Sequence, residues 1–187
     1  MRRPRRRAAQ LEAVRQHGNT MFTLRCTAKL LRRLPSKLAN GEPQTTTALG
    51  DWYANLLNIG RLRLILLTSE NSLLSVIVPA KDLPSLVPRF TAALIELLSS
   101  GGADQPLIDA EVRQMRQFQI GRTRSRSVLA SMNDMTLNAR FHLRLHPDSS
   151  LLDIEHRLGI MPCGPLGMKS PAEVAARRLL DRHAKWG

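Results

Sequence analysis

The residues best suited to binding an anion form one run at 122–127. The run consists of Arg122, Thr123, Arg124, Ser125, Arg126 and Ser127. Guanidinium groups bind phosphate through two parallel hydrogen bonds, and hydroxyl side chains can donate further bonds. A helical pattern begins directly after the run, where free backbone amides and the positive end of a helix dipole favour an anion. We therefore predict an anion-binding or nucleic-acid-binding site that comprises this run and Asn133 in the following helix.

The same run also has a structural interpretation. A serine at this junction can cap the helix, a role that contributes about 0.5–2 kcal/mol. The neighbouring arginines could then pair with acids such as Asp109 or Glu111. Repulsion among three clustered guanidiniums favours the anion site, so both interpretations stay open at the level of sequence.

Catalytic chemistry has weaker support. A set of polar residues could in principle supply the carboxylates that hold Mg²⁺ in a nuclease. The set is Lys29, Asp51, Asn55, Glu70, Asn71, Asn133 and Asp134. No sequence pattern brings these residues together. We predict no catalytic residue and no metal site.

Two further patterns are more typical of structure than of chemistry. His142 and His146 share a helix face, but the glutamate of a zincin signature is missing between them, and no third ligand is evident other than His156. Cys26 could be a nucleophile, yet it lies in an apolar run and is predicted to be buried. Glycine-rich cofactor loops are absent from the sequence, so we expect no cofactor.

Composition favours a polyanionic partner. The chain has 187 residues and 28 Lys and Arg against 15 Asp and Glu, a formal charge of +13, and such an excess favours nucleic acid. An aromatic content of 4% counts against a base-stacking surface. No apolar run is long enough to cross a bilayer, the arginine-rich start lacks the apolar core of a secretory signal, and two cysteines make no disulfide framework. We expect a cytoplasmic protein that does not enter a membrane.

The pattern of the chain predicts an α+β fold. Residues 21–26 and 118–122 are predicted as strands, and 61–68 with 73–78 as a hairpin in which Leu74, Val76 and Val78 share a face. Helices are predicted over 27–34, 45–60, 106–117, from 128 towards Pro147, over 151–158 and over 170–183. A further helix, whose entry is framed by Pro84 and Pro88 and which stops at Gly101-Gly102, is predicted through Phe90, Leu94 and Leu98. We therefore expect a small, mainly antiparallel sheet covered by several helices, with a helical C-terminal half.

The chain divides into three parts by composition. Residues 1–20 form a basic arm with six arginines and one acid, Glu12. The arm is expected either to be a flexible phosphate-binding segment or to precede a natural start at Met21. Residues 21–158 are expected to form one α+β domain. Residues 159–187 are expected to be a connector and a helix packed on that domain or appended to it.

Three motifs resemble an uncharacterised bacterial family, known as a domain of unknown function. The motifs are Leu24-Arg25-Cys26-Thr27 with Lys29-Leu30-Leu31, then Leu49-Gly50-Asp51-Trp52-Tyr53-Ala54, and then Arg126-Ser127-Val128-Leu129 with Ser131-Met132-Asn133-Asp134. The resemblance covers about residues 21–145. It implies no activity and assigns no catalytic residue.

These observations predict a non-catalytic accessory protein that binds nucleic acid or another polyanion through phosphate contacts. One alternative is a nucleic-acid-cleaving enzyme of a toxin or defence system. Another is a protein–protein interaction module whose basic surface contacts an acidic partner. Oligomeric state and biological process do not follow from the sequence.

Overall fold

A five-stranded mixed sheet lies at the centre of the protein. The computed structural model describes residues 21–34 and 45–186. The strands are β1 (Met21–Cys26), β2 (Trp52–Ile59), β3 (Leu62–Ser69), β4 (Ser75–Pro79) and β5 (Gln117–Arg122). Their order is β4-β3-β2-β1-β5; β3 pairs antiparallel with both β2 and β4, whereas β1 pairs in parallel with β2 and with β5. The α+β class and the helical C-terminal half are confirmed, but two of the four strand pairs are parallel, so the sheet is mixed where a mainly antiparallel one was expected.

The predicted helix over 45–60 is wrong, because this segment contains strand β2 and no helix. Trp52 and Ala54 belong to the hydrophobic core on one face of the sheet, and Tyr53 and Leu57 belong to the core on the other face. A strand covered on both faces carries apolar residues without the alternation of polar ones that marks a half-exposed strand. Its apolar residues therefore matched a helical period by coincidence.

The predicted hairpin is confirmed as β3 and β4. Leu66 of β3 pairs with Ile77 of β4 at the centre of the antiparallel ladder. Leu74, Val76 and Val78 all belong to the same core, as their spacing predicts. Ile77 points to the opposite face and joins the second core. The hairpin therefore contributes to the packing on both faces of the sheet.

Six helices cover the two faces within the described residues. They are α1 (Ala28–Leu31), α2 (Leu86–Ser100), α3 (Gln105–Gln114), α4 (Arg126–Leu145), α5 (Leu151–Ile160) and α6 (Pro171–Trp186). Residues of α1, α2, α3 and α6 pack into the core that contains Trp52, which we call the first core. Residues of α4 and α5 pack into the core that contains Tyr53, which we call the second core. The helices after residue 86 and the strand at 118–122 confirm the predicted elements to within a few residues.

The C-terminal helix α6 packs against the rest of the fold. Ala175 and Leu179 of α6 are almost fully buried in the first core. The predicted basic arm, residues 1–20, lies outside the described residues. Among the helices of residues 21–34 and 45–186, none is both long enough and apolar enough to cross a membrane.

Candidate anion-binding site at the junction of β5 and α4

The predicted anion-binding run lies at the junction where β5 ends and α4 begins. Ser125 is the N-cap of α4, and its hydroxyl accepts a hydrogen bond from the Val128 amide at 3.3 Å. The capping role that the sequence allowed is therefore present in the structure. Ser125 was the right residue for it because an extended backbone at the cap turns its side chain towards the first free amides of the helix.

Arg124 is part of an ion-pair network. Its Nη2 lies 3.2 Å from Glu70 Oε2 and 3.7 Å from Asp51 Oδ2. The acids that pair with this run are thus Asp51 and Glu70, not the Asp109 or Glu111 that the sequence suggested. Half of the Arg124 side chain stays exposed, at 47%. Its charge is nevertheless compensated within the protein.

A buried ion pair between Arg25 and Asp51 lies beneath Arg124. The Nε of Arg25 donates to Asp51 Oδ2 at 2.8 Å, and both side chains are almost completely buried. The other Asp51 oxygen, Oδ1, accepts from the Thr23 amide at 2.9 Å. The Nη1 of Arg25 donates to the backbone oxygen of Arg122 at 3.2 Å. This pair therefore joins β1, the start of β2 and the end of β5.

Tyr53 completes the network from the second core. Its hydroxyl donates to Glu70 Oε1 at 3.1 Å and accepts from the Ser125 amide at 3.2 Å. Burial, followed by the nearby Glu70 carboxylate, raises the pKa of Tyr53, so this phenol stays protonated. Two arginines and two carboxylates balance each other here, and together they hold the N-terminus of α4 in place.

Three other residues of the run, two of them arginines, face solvent. Arg122, Arg126 and Ser127 are exposed, and neither arginine has an acidic partner in residues 21–34 and 45–186. Arg126 and Ser127 are the first residues of a helix of 20 residues, where the amides lack intrahelical acceptors. Free guanidiniums and free amides thus occur together at the positive end of the α4 dipole.

The seven predicted site residues differ in their exposure and in their position along the junction. Thr123 is half-buried between the strand and the cap. Asn133 is exposed on α4 seven residues after Arg126, so it lies on the same side of the helix about 10 Å further along. Arg122, Arg126 and Ser127 form the exposed end of the site. Arg124 and Ser125 are held in place by the ion pairs and the cap hydrogen bond described above. The site prediction itself stays a prediction.

The other candidates for chemistry occupy structural positions. Cys26 is buried, and burial raises the pKa of its thiol to about 12. His142 bonds to Ser149 through Nε2 at 3.0 Å, and its ring lies 4.9 Å from that of His146. Within the described part of the chain, no three His, Cys, Asp or Glu side chains are grouped so that they could hold a metal ion.

Sequence reasoning missed Arg25, which is the centre of the network. A signal was present, because Arg25 stands between Leu24 and Cys26 in a strand whose alternate residues are apolar. A buried arginine needs a carboxylate partner, since an unpaired buried charge is very costly. The partner, Asp51, lies 26 residues away and precedes a strand that the sequence did not reveal.

The fold and this junction define an α+β protein with a mixed sheet, an internal ion-pair network and an exposed basic helix start. The chain belongs to the family described as a domain of unknown function, DUF6933, whose model matches residues 23–174. This match confirms the resemblance and extends it beyond residue 145. No curated protein sequence matches the chain.

Proposed function

We propose that this protein binds nucleic acid or another polyanion through phosphate contacts at the junction of β5 and α4, without catalysing a reaction. The observation that carries the proposal is the exposure of Arg122 and Arg126 beside the free amides at the start of α4. The network below fixes the junction before any ligand arrives. Because the junction is already ordered, binding costs little conformational entropy.

The distribution of charge between interior and surface supports the same function. Three acids, Asp51, Glu111 and Glu155, are buried, whereas Arg25 is the one buried cation among the described residues. The surface is therefore more basic than the composition alone implies. Such a field attracts phosphates and speeds encounter with a polyanion, and both effects weaken as salt is added.

The geometry favours contacts to the backbone of a nucleic acid over contacts to its bases. Arg122 and Arg126 can each form paired hydrogen bonds to a phosphate, and the Ser127 amide and hydroxyl add donors. No aromatic side chain belongs to the run, so base stacking does not contribute there. The affinity should consequently depend strongly on salt concentration and weakly on the base sequence of the nucleic acid.

A salt titration tests the proposal directly. Binding of labelled duplex DNA, single-stranded RNA and a non-nucleic polyanion would be followed by fluorescence anisotropy. The double variant Arg122→Gln and Arg126→Gln should weaken binding by about tenfold or more and reduce the salt slope by about 1 for each lost phosphate contact. Affinity that does not change with salt would refute a phosphate-based mechanism.

A matched control separates the site from the general charge. The variant Arg177→Gln and Arg178→Gln removes the same charge from the exposed side of α6. It should leave affinity within about twofold of the wild type. Equal losses in the two double variants would remove the junction from the binding site.

A second candidate function, docking of an acidic partner protein, is favoured by α4. Leu137, Phe141 and Leu145 follow one another at spacings of four residues and are 61%, 63% and 56% exposed. Large apolar side chains in such a row are typical of contact surfaces. Arg140 and Arg144 flank the row, so a partner segment would need acidic residues beside its apolar ones.

The docking hypothesis needs its own experiment. A partner isolated with the nuclease-treated protein would be identified, purified and mixed again with the chain. Binding should be lost on Phe141→Ser and weakened by added salt. A partner that binds the Phe141→Ser variant as well as the wild type would contradict docking on α4.

A further inference from the structure

A second group of arginines converges at the tip of the β2–β3 hairpin. An open cleft of about 440 Å³ is present there. Its lining is Arg33, Asn58, Gly60, Arg61 and Arg63. Among the described residues, no acidic and no apolar side chain lines it. The cleft belongs to elements other than the junction of β5 and α4.

Strand geometry explains why these side chains meet. Asn58 of β2 pairs directly with Arg63 of β3. Side chains two residues apart share a face of a strand, so Arg63 lies on the same face as Ile65, which belongs to the first core. The short turn between the strands contains Gly60, whose φ of 55° is in the left-handed region that glycine adopts without strain. Arg61 follows in that turn, at the tip.

Arg33 reaches the same cleft from α1. Leu30 of α1 is buried in the first core, so α1 lies against the face of the sheet that Arg63 shares. Arg33 follows Leu30 by three residues, just past the end of the helix, and its backbone amide bonds to the Leu30 oxygen at 2.9 Å. Side chains three apart lie on one side of a helical turn. Helix α1 contacts β2, and β2 continues past its last pairing with β1 at Ala54 towards the hairpin tip, where Arg33 and the tip residues line the same cleft.

None of the three guanidiniums is compensated within the described residues. Arg33, Arg61 and Arg63 form no side-chain hydrogen bond and no ion pair with residues 21–34 or 45–186. Arg89, by comparison, bonds to the backbone oxygen of Pro79 at 2.6 Å and to Ser85 Oγ at 3.0 Å. Three like charges around one cleft repel each other, and an anion in the cleft would relieve that repulsion.

We infer that the cleft at the hairpin tip binds a phosphate group through Arg33, Arg61 and Arg63, with the Asn58 amide as a further donor. The ligand is a compact, multiply charged phosphate, since each polar side chain that the described residues contribute to the lining can donate hydrogen bonds, and none of those residues offers an aromatic or apolar surface. The phosphate could belong to a small polyphosphate or to the backbone of a nucleic acid. The chemistry of recognition is the same in both cases.

Titration calorimetry with inorganic pyrophosphate, on the full chain at low salt, tests the site. Saturable binding with one ligand per chain is expected. The variant Arg61→Gln and Arg63→Gln should weaken it by about tenfold or more. Arg61→Lys with Arg63→Lys should give an intermediate affinity, because lysine keeps the charge and loses the paired donors. Arg177→Gln with Arg178→Gln is the control of equal charge and should stay within about twofold of wild type.

A chemical readout locates the site independently of affinity. Phenylglyoxal modifies exposed arginines, and pyrophosphate should protect Arg33, Arg61 and Arg63 more than Arg177 or Arg178. Unchanged melting temperatures would show that the variants are folded. Absence of saturable pyrophosphate binding, or equal binding by the Arg61→Gln and Arg63→Gln variant, would overturn the inference.

Oligonucleotide competition distinguishes the two sources of phosphate. If a short oligonucleotide displaces pyrophosphate from the hairpin tip, the natural ligand is a nucleic-acid backbone. If it does not, the ligand is a small polyphosphate. The Arg122→Gln and Arg126→Gln variant should bind pyrophosphate normally, so failure of the proposed function at the junction and failure of this inference give different results.

Discussion

Glu155 of α5 gives the sharpest test of the energetics of this fold. Its side chain is 3% exposed, and its Oε1 accepts a hydrogen bond from the Ile77 amide at 2.5 Å. Ile77 belongs to β4, an edge strand of the sheet. The carboxyl group therefore occupies an outward amide that an edge strand would otherwise leave free for another chain.

Burial raises the pKa of Glu155 from an ordinary 4.5 to about 8, the Ile77 hydrogen bond opposes the rise, and the nearby Glu96 adds to it. Between these two values the folded protein holds a proton that the unfolded chain has released. The free energy of unfolding should accordingly fall as pH rises from about 4.5 to about 8. Outside that range, titration of Glu155 should change it little. At pH 7 the loss amounts to roughly 3 kcal/mol.

The variant Glu155→Gln should remove this loss. Glutamine keeps the oxygen that accepts from Ile77 and has no proton to release. We expect the variant to match the wild type near pH 4.5, to exceed it by roughly 3 kcal/mol at pH 7 and by roughly 4–5 kcal/mol at pH 8.5. The measurement is the free energy of unfolding from urea titrations over pH 4.5 to 8.5.

Two further variants make the result specific. Glu96→Gln removes one cause of the raised pKa, so the fall in stability should still begin near pH 4.5 but should end at a lower pH and be smaller in total. Glu173→Gln alters an exposed acid at the start of α6 and should leave the pH dependence unchanged. If the wild type and Glu155→Gln lose stability in parallel as pH rises, the assignment of the effect to Glu155 is refuted.

Three more variants or reagents test the site and the cores. Asp51→Asn should destabilise the fold by about 3–5 kcal/mol in urea unfolding, because the buried Arg25 would lose the carboxylate to which its Nε donates; a loss below about 1 kcal/mol would show the pair to be solvated. Ser125→Ala should cost about 1 kcal/mol through the lost cap and lower the melting temperature; no change would contradict the cap. A thiol reagent at pH 8 should modify the half-buried Cys163 before the buried Cys26, and the reverse order would disprove the burial.

Local patterns were sufficient for the hairpin and the helices. The turn between β3 and β4 begins with the polar residues Glu70, Asn71 and Ser72, and Pro79 marks the end of the second strand. Each of the helices α2 to α6 buries one stripe of apolar residues. Apolar residues therefore recur in these segments with the 3.6-residue period of a helix. Strand β2 lacks such a signal because both of its faces are buried.

The candidate site shows the limit of local patterns. The run at 122–127 was visible because its members are neighbours in sequence. Its partners were not visible, because Arg124 meets Glu70 across 54 residues and Arg25 meets the Arg122 backbone across 97. Which arginines are neutralised, and which remain free, depends on the parallel pairing of β1 with β2 and β5. No local pattern specifies that pairing.

The buried acids link the fold to the proposed function. Each of them accepts hydrogen bonds from backbone amides: Asp51 from Thr23, Glu111 from Ala48 and Leu49, and Glu155 from Ile77. Lysine and arginine cannot replace them, because they have no acceptor atoms. Three acids therefore lie in the interior, whereas Arg25 is the one buried arginine among the described residues, so the surface carries a larger net positive charge than the composition alone implies. Arg122 and Arg126 at the junction, and Arg33, Arg61 and Arg63 at the hairpin tip, have no acidic partner among the described residues, and for this reason we propose both places as anion sites.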